Sequence, residues 1–324
     1  MSRVAVLKGG RSLERQVSLK SGGRVQDALE RLGHDAVGLD VGHDLVERLR
    51  ACQADVAFVA LHGRDGEDGT VQELLEALGV PYTGSGVSSC IRSADKVLAK
   101  HVMRDAGIPT PDFFSFNETA FKELGAAHAL GAIEERLEFP IVVKPAGQGS
   151  ALGIKFARSA ADVPTALVAA FSYDRKVLLE RHVHGRDLAV SVLDGPDGPE
   201  ALPIVEAVPR EEDFYDFESR YEIGRTRFEY PAVLDEATAA RARDTALATY
   251  DALGCTGFAR VDIMLEESTS DLFVLELNPI PGLTETSLLP QAAEAAGLSF
   301  DSLVGRIVEL ALSGRATAGT TGPP

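Results

Sequence analysis

The sequence predicts an α/β protein: a parallel sheet covered by helices, followed by a segment of paired strands with its own helices. Three observations carry this. Over the first hundred residues, short apolar runs alternate with stretches of helical spacing, the pattern of a parallel sheet with helices on both faces. Pro109 and Pro111 then interrupt the chain. Beyond them, short strands flank Gly- and Pro-rich turns, which is hairpin chemistry. A chain of 324 residues is long enough for two domains of about 150 residues each.

The elements follow in order. Residues 3–7 (Arg-Val-Ala-Val-Leu) read as a buried strand running into Gly9-Gly10, and 14–32 as a helix. Residues 36–39 and 56–61 are further strands, the latter ending in His62-Gly63, and 71–78 has helical spacing. Ligands of such sheets bind beyond the carboxyl ends of the strands. Both Gly9-Gly10-Arg11-Ser12 and His62-Gly63-Arg64 stand there. A helix is expected over 95–106. Strands at 140–144 and 154–157 flank a glycine-rich turn, 160–171 is helical and 176–180 is a strand. Residues 187–193 and 201–208 form a strand pair through the turn Asp194-Gly-Pro-Asp-Gly198. Residues 210–224 are polar and aromatic without a period and read as a long loop, the usual form of a lid. A helix over 235–253, strands over 258–265 and 272–277, and helices over 290–297 and 299–312 complete the fold. The Gly/Thr/Pro-rich residues 314–324 are expected to be disordered.

Composition bounds the function. Apolar residues make up 45% and charged residues 25%, an ordinary globular balance. With 32 basic against 49 acidic side chains the net charge is −17. A field of that sign disfavours nucleic acid and anionic membrane surfaces. No run of 18 apolar residues exists, so no membrane span is expected. Cys52, Cys90 and Cys255 are scattered and odd in number. They argue against a disulfide framework or zinc site and for a cytoplasmic chain without a signal peptide.

The chemistry-bearing residues cluster late in the chain. Glu276 and Asn278 lie two apart on one strand and so share a face, with Asp262 on the preceding strand. Two carboxylates and an amide oxygen suit Mg²⁺ with phosphates completing its shell; the competing reading is a solvated strand face. The segment from Lys144 through Gly147, Gly149 and Gly153 lets backbone N–H groups approach an anion, or is simply a flexible turn. It is neither a P-loop nor a dinucleotide fingerprint. Glu180 ends a strand, placed to accept from a ribose hydroxyl or an adenine amine, or to sit in water. Arg260 shares the strand face of Asp262 and could stabilise a developing oxyanion. Asn278-Pro-Ile-Pro-Gly282 makes a rigid turn ahead of Ser287, which either caps the next helix or opens a carboxylate site at its N-terminus.

Taken together, these residues resemble the D-alanine–D-alanine ligases of the ATP-grasp superfamily. The matching segments are Gly9-Gly-Arg-Ser-Leu-Glu14 through Gly22, Ala60-Leu-His62-Gly through Gly69-Thr, Tyr82-Thr-Gly-Ser-Gly86, Ala94-Asp-Lys96, Phe214-Tyr215 through Arg220-Tyr221, and Ala259-Arg260-Val-Asp262. The resemblance spans residues 3–312. It implies an ATP-grasp fold with an N-terminal substrate-binding α/β domain (1–95). Two α+β subdomains (96–183 and 184–313) would enclose the nucleotide, with 210–224 as the lid.

It also implies a reaction and roles. ATP would phosphorylate one D-alanine, and the amine of a second would attack the acyl phosphate to make the dipeptide for peptidoglycan precursors. Lys96 and Lys144 would hold phosphates; Glu180, Arg181, Val183, Asp187 and Arg220 would complete the nucleotide site. Asp262, Glu276 and Asn278 would hold two Mg²⁺ (or Mn²⁺). Glu14 would bind the first ammonium with Ser150 and Tyr221, His62 would assist proton transfer, and Arg260 with the Gly282 N–H would form the oxyanion site. Ser287 and the Leu288 N–H would take the second carboxylate. A homodimer is implied as well. Pro279, Arg220, Gly147-Gln148 and Asp187 depart from the usual Thr, Lys, Arg-Glu and Glu of the family. They leave open a paralogous ligase using another D-amino acid, while Tyr221 favours an amine over a hydroxyl nucleophile.

Overall fold

In the computed structural model, which describes residues 1–125, 130–209 and 226–314, three parallel strands form the first sheet: β1 (Arg3–Lys8), β2 (Asp35–Asp40) and β3 (Val56–Val59), in the order β2-β1-β3. Val4 through Leu7 are fully buried because helices cover both faces. Alternate residues serve opposite cores, as a period of two requires. Val4 and Val6 pack on α1 (Arg15–Arg31). Ala5 and Leu7 pack with residues of α2 (Leu45–Cys52) and α3 (Thr70–Leu78). Helix α4 (Val87–Ala94) leads into α5 (Lys96–Asp105). The side chain of Asp95 caps α5, accepting from Val97 N at 2.9 Å and Leu98 N at 3.1 Å, a cap worth about 1 kcal/mol.

The second sheet is antiparallel, in the order β4 (Phe113–Asn117), β7 (Lys176–Arg181), β5 (Ile141–Pro145), β6 (Lys155–Ala157). The short helices α6 (Glu118–Lys122) and α7 (Leu130–Leu137) lie between β4 and β5. Residues 160–171, expected as one helix, are a 3₁₀ turn, Ala160–Asp162, followed by α8 (Val163–Phe171). Pro164 accounts for the division: it fits the first turn of a helix but cannot donate within one.

The third sheet runs β11 (Thr226–Glu229), β10 (Val205–Pro209), β8 (Gly185–Gly195), β12 (Phe258–Glu266), β13 (Leu272–Asn278), and β9 (Gly198–Ala201) also pairs with β8. The sequence reading of 201–208 as one strand is corrected here. Pro203 has no N–H to extend a ladder, so the strand is interrupted at residues 202–204, and β9 and β10 pair in turn with the same edge of β8, opposite β12, with the register shifted by one residue; the hairpin through the 194–198 turn stands. One face of this sheet, with Leu188, Val190, Val261 and Ile263, packs on α9 (Glu236–Ala252) through Ala242, Ala246 and Tyr250. Tyr250 is 3% exposed and donates its hydroxyl to Asp194 at 2.9 Å, so burying the ring strands no polar atom.

The opposite face of β12 carries Arg260 and Asp262. Period two along β13 would send Glu276 into the α9 core with Val274. Instead the ladder slips between Asp262, paired with Glu276, and Ile263, paired with Val274. The extra residue, Leu275, resets the phase. Leu277 enters the core, and Glu276 lines the cleft beside Asp262. After β13 come α10 (Leu288–Ala295) and α11 (Phe300–Leu312). Helix α11 returns to the first sheet, where Leu303, Val304, Ile307 and Val308 join Val4, Val6 and Phe58 in one core. All three cysteines are free and buried, and no helix among the described residues is long and apolar enough to cross a membrane.

Candidate active site

The site lies where the three sheets meet. Between the second and third sheets is a cleft lined by Lys96, Lys144, Glu180, Arg181, Val183 and Asp187, with Asp262 and Glu276 on its other wall. These are the nucleotide residues expected from sequence, apart from Arg220. Val142 of β5 and Ile154, just before β6, on one side and Met264 and Leu275 on the other give the cleft apolar walls. Such walls suit the flat faces of a base, and the charged residues suit its phosphates. Arg181 is held by Glu266 at 2.7 Å and stacks over Phe273 at 4.8 Å. Arg220, Tyr221, the 210–224 loop and residues 315–324 of the expected tail lie outside the described residues.

A second cavity adjoins the first. Lys96, Gln148 and Glu276 line both. The second is bounded by Gly63, Gly147–149, Ser150, Arg260, Asn278, Gly282, Ser287 and Leu288. Lys96 stands at the junction, with its ammonium 2.9 Å from Glu276 and 3.0 Å from the Gln148 carbonyl. Arg260 is buried and paired with Asp262 through two hydrogen bonds of 2.6 and 2.8 Å. Arg260 opposes Asn278 and Asp262 opposes Glu276 across the β12–β13 ladder. The register therefore brings all four side chains together.

Glu14 lies directly behind Gly63, Gly149 and Ser150 of this cavity, on its N-terminal side. It precedes α1 and is 3% exposed. The Ser150 hydroxyl donates to its Oε1, across 136 residues of sequence. Among the described residues Oε2 is buried with no hydrogen-bond partner. The backbone approaches it so closely that only glycine fits: a Cβ on Gly63, at φ +70°, would stand 2.4 Å from Oε2, and one on Gly149 3.0 Å. Burial, and next the nearby charge of Glu67, push the Glu14 carboxyl up to about 7. An unpaired buried carboxylate oxygen is costly, and a cation entering the cavity would satisfy it.

His62 is 4% exposed and has both ring nitrogens engaged. Nδ1 lies 3.2 Å from the Ile280 carbonyl and Nε2 3.0 Å from Ser21 Oγ. Ser21 Oγ also accepts from Leu283 N at 3.1 Å. The pair thus grips the turn on both sides of Gly282. That turn is packed so tightly that a Cβ on Gly282 would lie 2.6 Å from Ser287 Oγ. Ser287 occupies the N-cap position of α10, but its side chain makes no cap. Its hydroxyl instead accepts from Thr284 N at 3.0 Å and pairs with Thr284 Oγ1 at 2.8 Å. The N–H groups of Leu288 and Leu289 are left without a side-chain cap, and Leu288 lines the cavity, which suits a carboxylate there.

Sequence reasoning missed Lys100, which is fully buried behind Glu180, and Ser21. It also gave no role to Glu67, 3.6 Å from His62. The i, i+4 spacing from Lys96 would have placed Lys100 near the same cleft.

Asp262, Glu276 and Asn278 form an oxygen-only donor set, which fits Mg²⁺. Among the described residues no group of three or more His, Cys, Asp or Glu side chains could hold a metal. Ligand phosphates are needed to complete such a shell.

Known proteins with this sequence and shape agree. The family sequence models described as D-ala D-ala ligase C-terminus and N-terminus match residues 102–309 and 36–85. A D-alanine–D-alanine ligase of Syntrophotalea carbinolica is 42% identical over 306 residues, 94% of this chain and 95% of that one. The crystal structure of a Bacillus anthracis D-alanine–D-alanine ligase superposes with a TM-score of 0.83 at 33% identity, covering 97% of this chain and 99% of that one. The same enzyme complexed with ATP gives 0.81 at the same identity and coverage. The cleft between two antiparallel sheets is that of the ATP-grasp fold, and the chain belongs to the D-alanine–D-alanine ligase family.

Proposed function

We propose that the protein joins two D-alanines to D-alanyl-D-alanine at the expense of ATP, through a D-alanyl phosphate. One observation carries this reading: a buried carboxylate, Glu14, with one oxygen unpaired among the described residues, sits directly behind Gly63, Gly149 and Ser150 of a cavity that is continuous, through Lys96, with a cleft suited to a nucleotide. An ammonium receptor and a phosphate cradle are thus neighbours, close enough for the charge of Lys96 to act on Glu14.

In this reading Lys96 and Lys144 orient the triphosphate, Glu180 and Asp187 take adenine and ribose, and Arg181 and Val183 frame the base. Asp262, Glu276 and Asn278 would hold two Mg²⁺, whose charge would neutralise the phosphate oxygens and ease departure of ADP. Glu14, with Ser150, fixes the first ammonium so that its carboxylate points at the γ-phosphate. A carboxylate oxygen bonds to phosphorus and the bond to the ADP oxygen breaks. The second D-alanine is held at its carboxylate by Ser287 and the Leu288 N–H. Its amine attacks the acyl carbon, the oxyanion develops between Arg260 and the Gly282 N–H, and phosphate leaves as the C–O bond breaks, taking up the proton that the nitrogen loses. His62 acts by holding the Ile280–Leu283 turn, which aims that N–H. Tyr221 and Arg220 belong to the lid of this scheme, which excludes water from the acyl phosphate.

Formation of peptidoglycan precursors, a cytoplasmic location and a homodimer are further parts of the proposal, supported by the family. The experiment is ADP release over a panel of D- and L-amino acids, with mass identification of the product. D-alanine alone should give turnover and D-alanyl-D-alanine; turnover with another amino acid and none with D-alanine would replace this reading by that of a paralogous ligase.

A further inference from the structure

Lys100 is a lysine with no access to solvent in an enzyme whose other cleft lysines reach the cavity. It lies one turn along α5 from Lys96 and forms an ion pair with Glu180. It also donates to Thr110 Oγ1, and Thr110 donates in turn to the Val274 carbonyl of β13 at 2.8 Å. The other oxygen of Glu180 is 2.6 Å from Lys144 Nζ. A single buried carboxylate therefore has two cationic partners, and they differ in one respect. Lys144 lines the nucleotide cleft, whereas Lys100 does not.

One counter-charge is enough to keep a buried carboxylate ionised. We propose that Lys100 is a positioning residue, the resident counter-ion of Glu180, which lets Lys144 leave Glu180 for the nucleotide phosphates without stranding a buried carboxylate. The inference rests on the reading of the cleft as the nucleotide site.

Electrostatics and tethering agree with this division. Burial alone would push the Glu180 carboxyl up, but Lys100 and Lys144 together hold it below its ordinary value. Burial pushes the Lys100 ammonium down to about 8, opposed chiefly by Glu180 and helped by Lys144 and Arg104. The tie through Thr110 to β13 fixes Lys100 to the strand that carries Glu276. It cannot follow a ligand. Lys144, on the last part of β5 beside the glycine-rich turn, can.

A double-mutant cycle tests this. The Kd for ATP is measured without amino acid for the parent, Lys100→Met, Glu180→Gln and the double variant, alongside KM and kcat. Met keeps the length of the side chain and removes its charge. In the Glu180 background Lys100→Met should weaken ATP about tenfold or more while kcat changes by less than about threefold. In the Glu180→Gln background, where no carboxylate needs a counter-ion, it should change Kd by less than about twofold. An equal loss in both backgrounds overturns the proposal.

If Lys100→Met folds only with Glu180→Gln, the counter-ion role stands. If it folds in neither background, Lys100 is part of the scaffold and the proposal fails. Lys144→Met separates the underlying reading: should it bind ATP as the parent does, the cleft is not the nucleotide site. If it weakens ATP while the cycle shows no coupling, only the counter-ion proposal falls.

Discussion

Replacing Glu14 by Gln should make the protein more stable and inactive at once. The carboxyl of Glu14 is pushed from 4.5 to about 7 by burial and by Glu67. At about 1.4 kcal/mol per pH unit, this interval corresponds to about 3 kcal/mol. The sign follows from linkage. Between 4.5 and about 7 the folded chain keeps a proton that the unfolded chain has released. Stability contributed by this group is therefore full below 4.5, falls as the pH rises through about 7, and is flat above. Gln has no proton to lose. It keeps the oxygen that accepts from Ser150 but sets an N–H₂ where Oε2 now has no partner, at a cost of about 1 kcal/mol. Urea unfolding across pH should show Glu14→Gln gaining on the parent as the pH rises, to a net advantage of about 2 kcal/mol near pH 8. A difference independent of pH would refute the burial argument. The same substitution should abolish turnover, and the parent's KM for the first amino acid should rise as the pH falls below about 7, where the carboxyl must be deprotonated to meet an ammonium.

Other outcomes follow from the same geometry. Arg260→Met leaves Asp262 buried without its two hydrogen bonds and should cost about 3–5 kcal/mol in urea unfolding, with most of the loss recovered by adding Asp262→Asn. Glu276→Ala removes one partner of Lys96 and half of the acid pair; ADP release should fall about 100-fold or more, with folding retained by circular dichroism. Gly282→Ala must displace Ser287 Oγ, 2.6 Å from the new Cβ, so KM for the second amino acid should rise more than that for ATP in initial-rate kinetics. Burial pushes the Cys90 thiol up, and that of Cys255 to about 11. Neither should react with a thiol reagent near pH 8 until the protein unfolds.

Much of the site was legible because it stands at strand ends and on strand faces. Asp262, Glu276 and Asn278 interrupt apolar strands with residues that strands disfavour, and the glycine-rich turn after Lys144 advertises close backbone approach. The partners of these residues were not legible. That Arg260 grips Asp262, Lys96 meets Glu276, and Ser150 reaches Glu14 is decided by how three sheets pack together. Alternation also pairs Glu276 with Asn278 on one face, but only the bulge at Leu275 turns that face to the cleft. Pro203 marks the break between β9 and β10, since it has no N–H to give a ladder. The return of α11 to the first sheet had no local signal, since its apolar face could have met any sheet. The short helices α2, α4, α6 and α7 and the strand β4 went unread, being too brief for a periodic pattern to stand out.

The claim at the centre is that a D-alanine carboxylate oxygen becomes bonded to phosphorus. It is tested most directly by supplying D-alanine labelled with heavy oxygen in its carboxylate, together with ATP and Mg²⁺, and weighing the inorganic phosphate released. The account predicts one labelled oxygen in each phosphate formed along with the dipeptide. Dipeptide formed with unlabelled phosphate would contradict it.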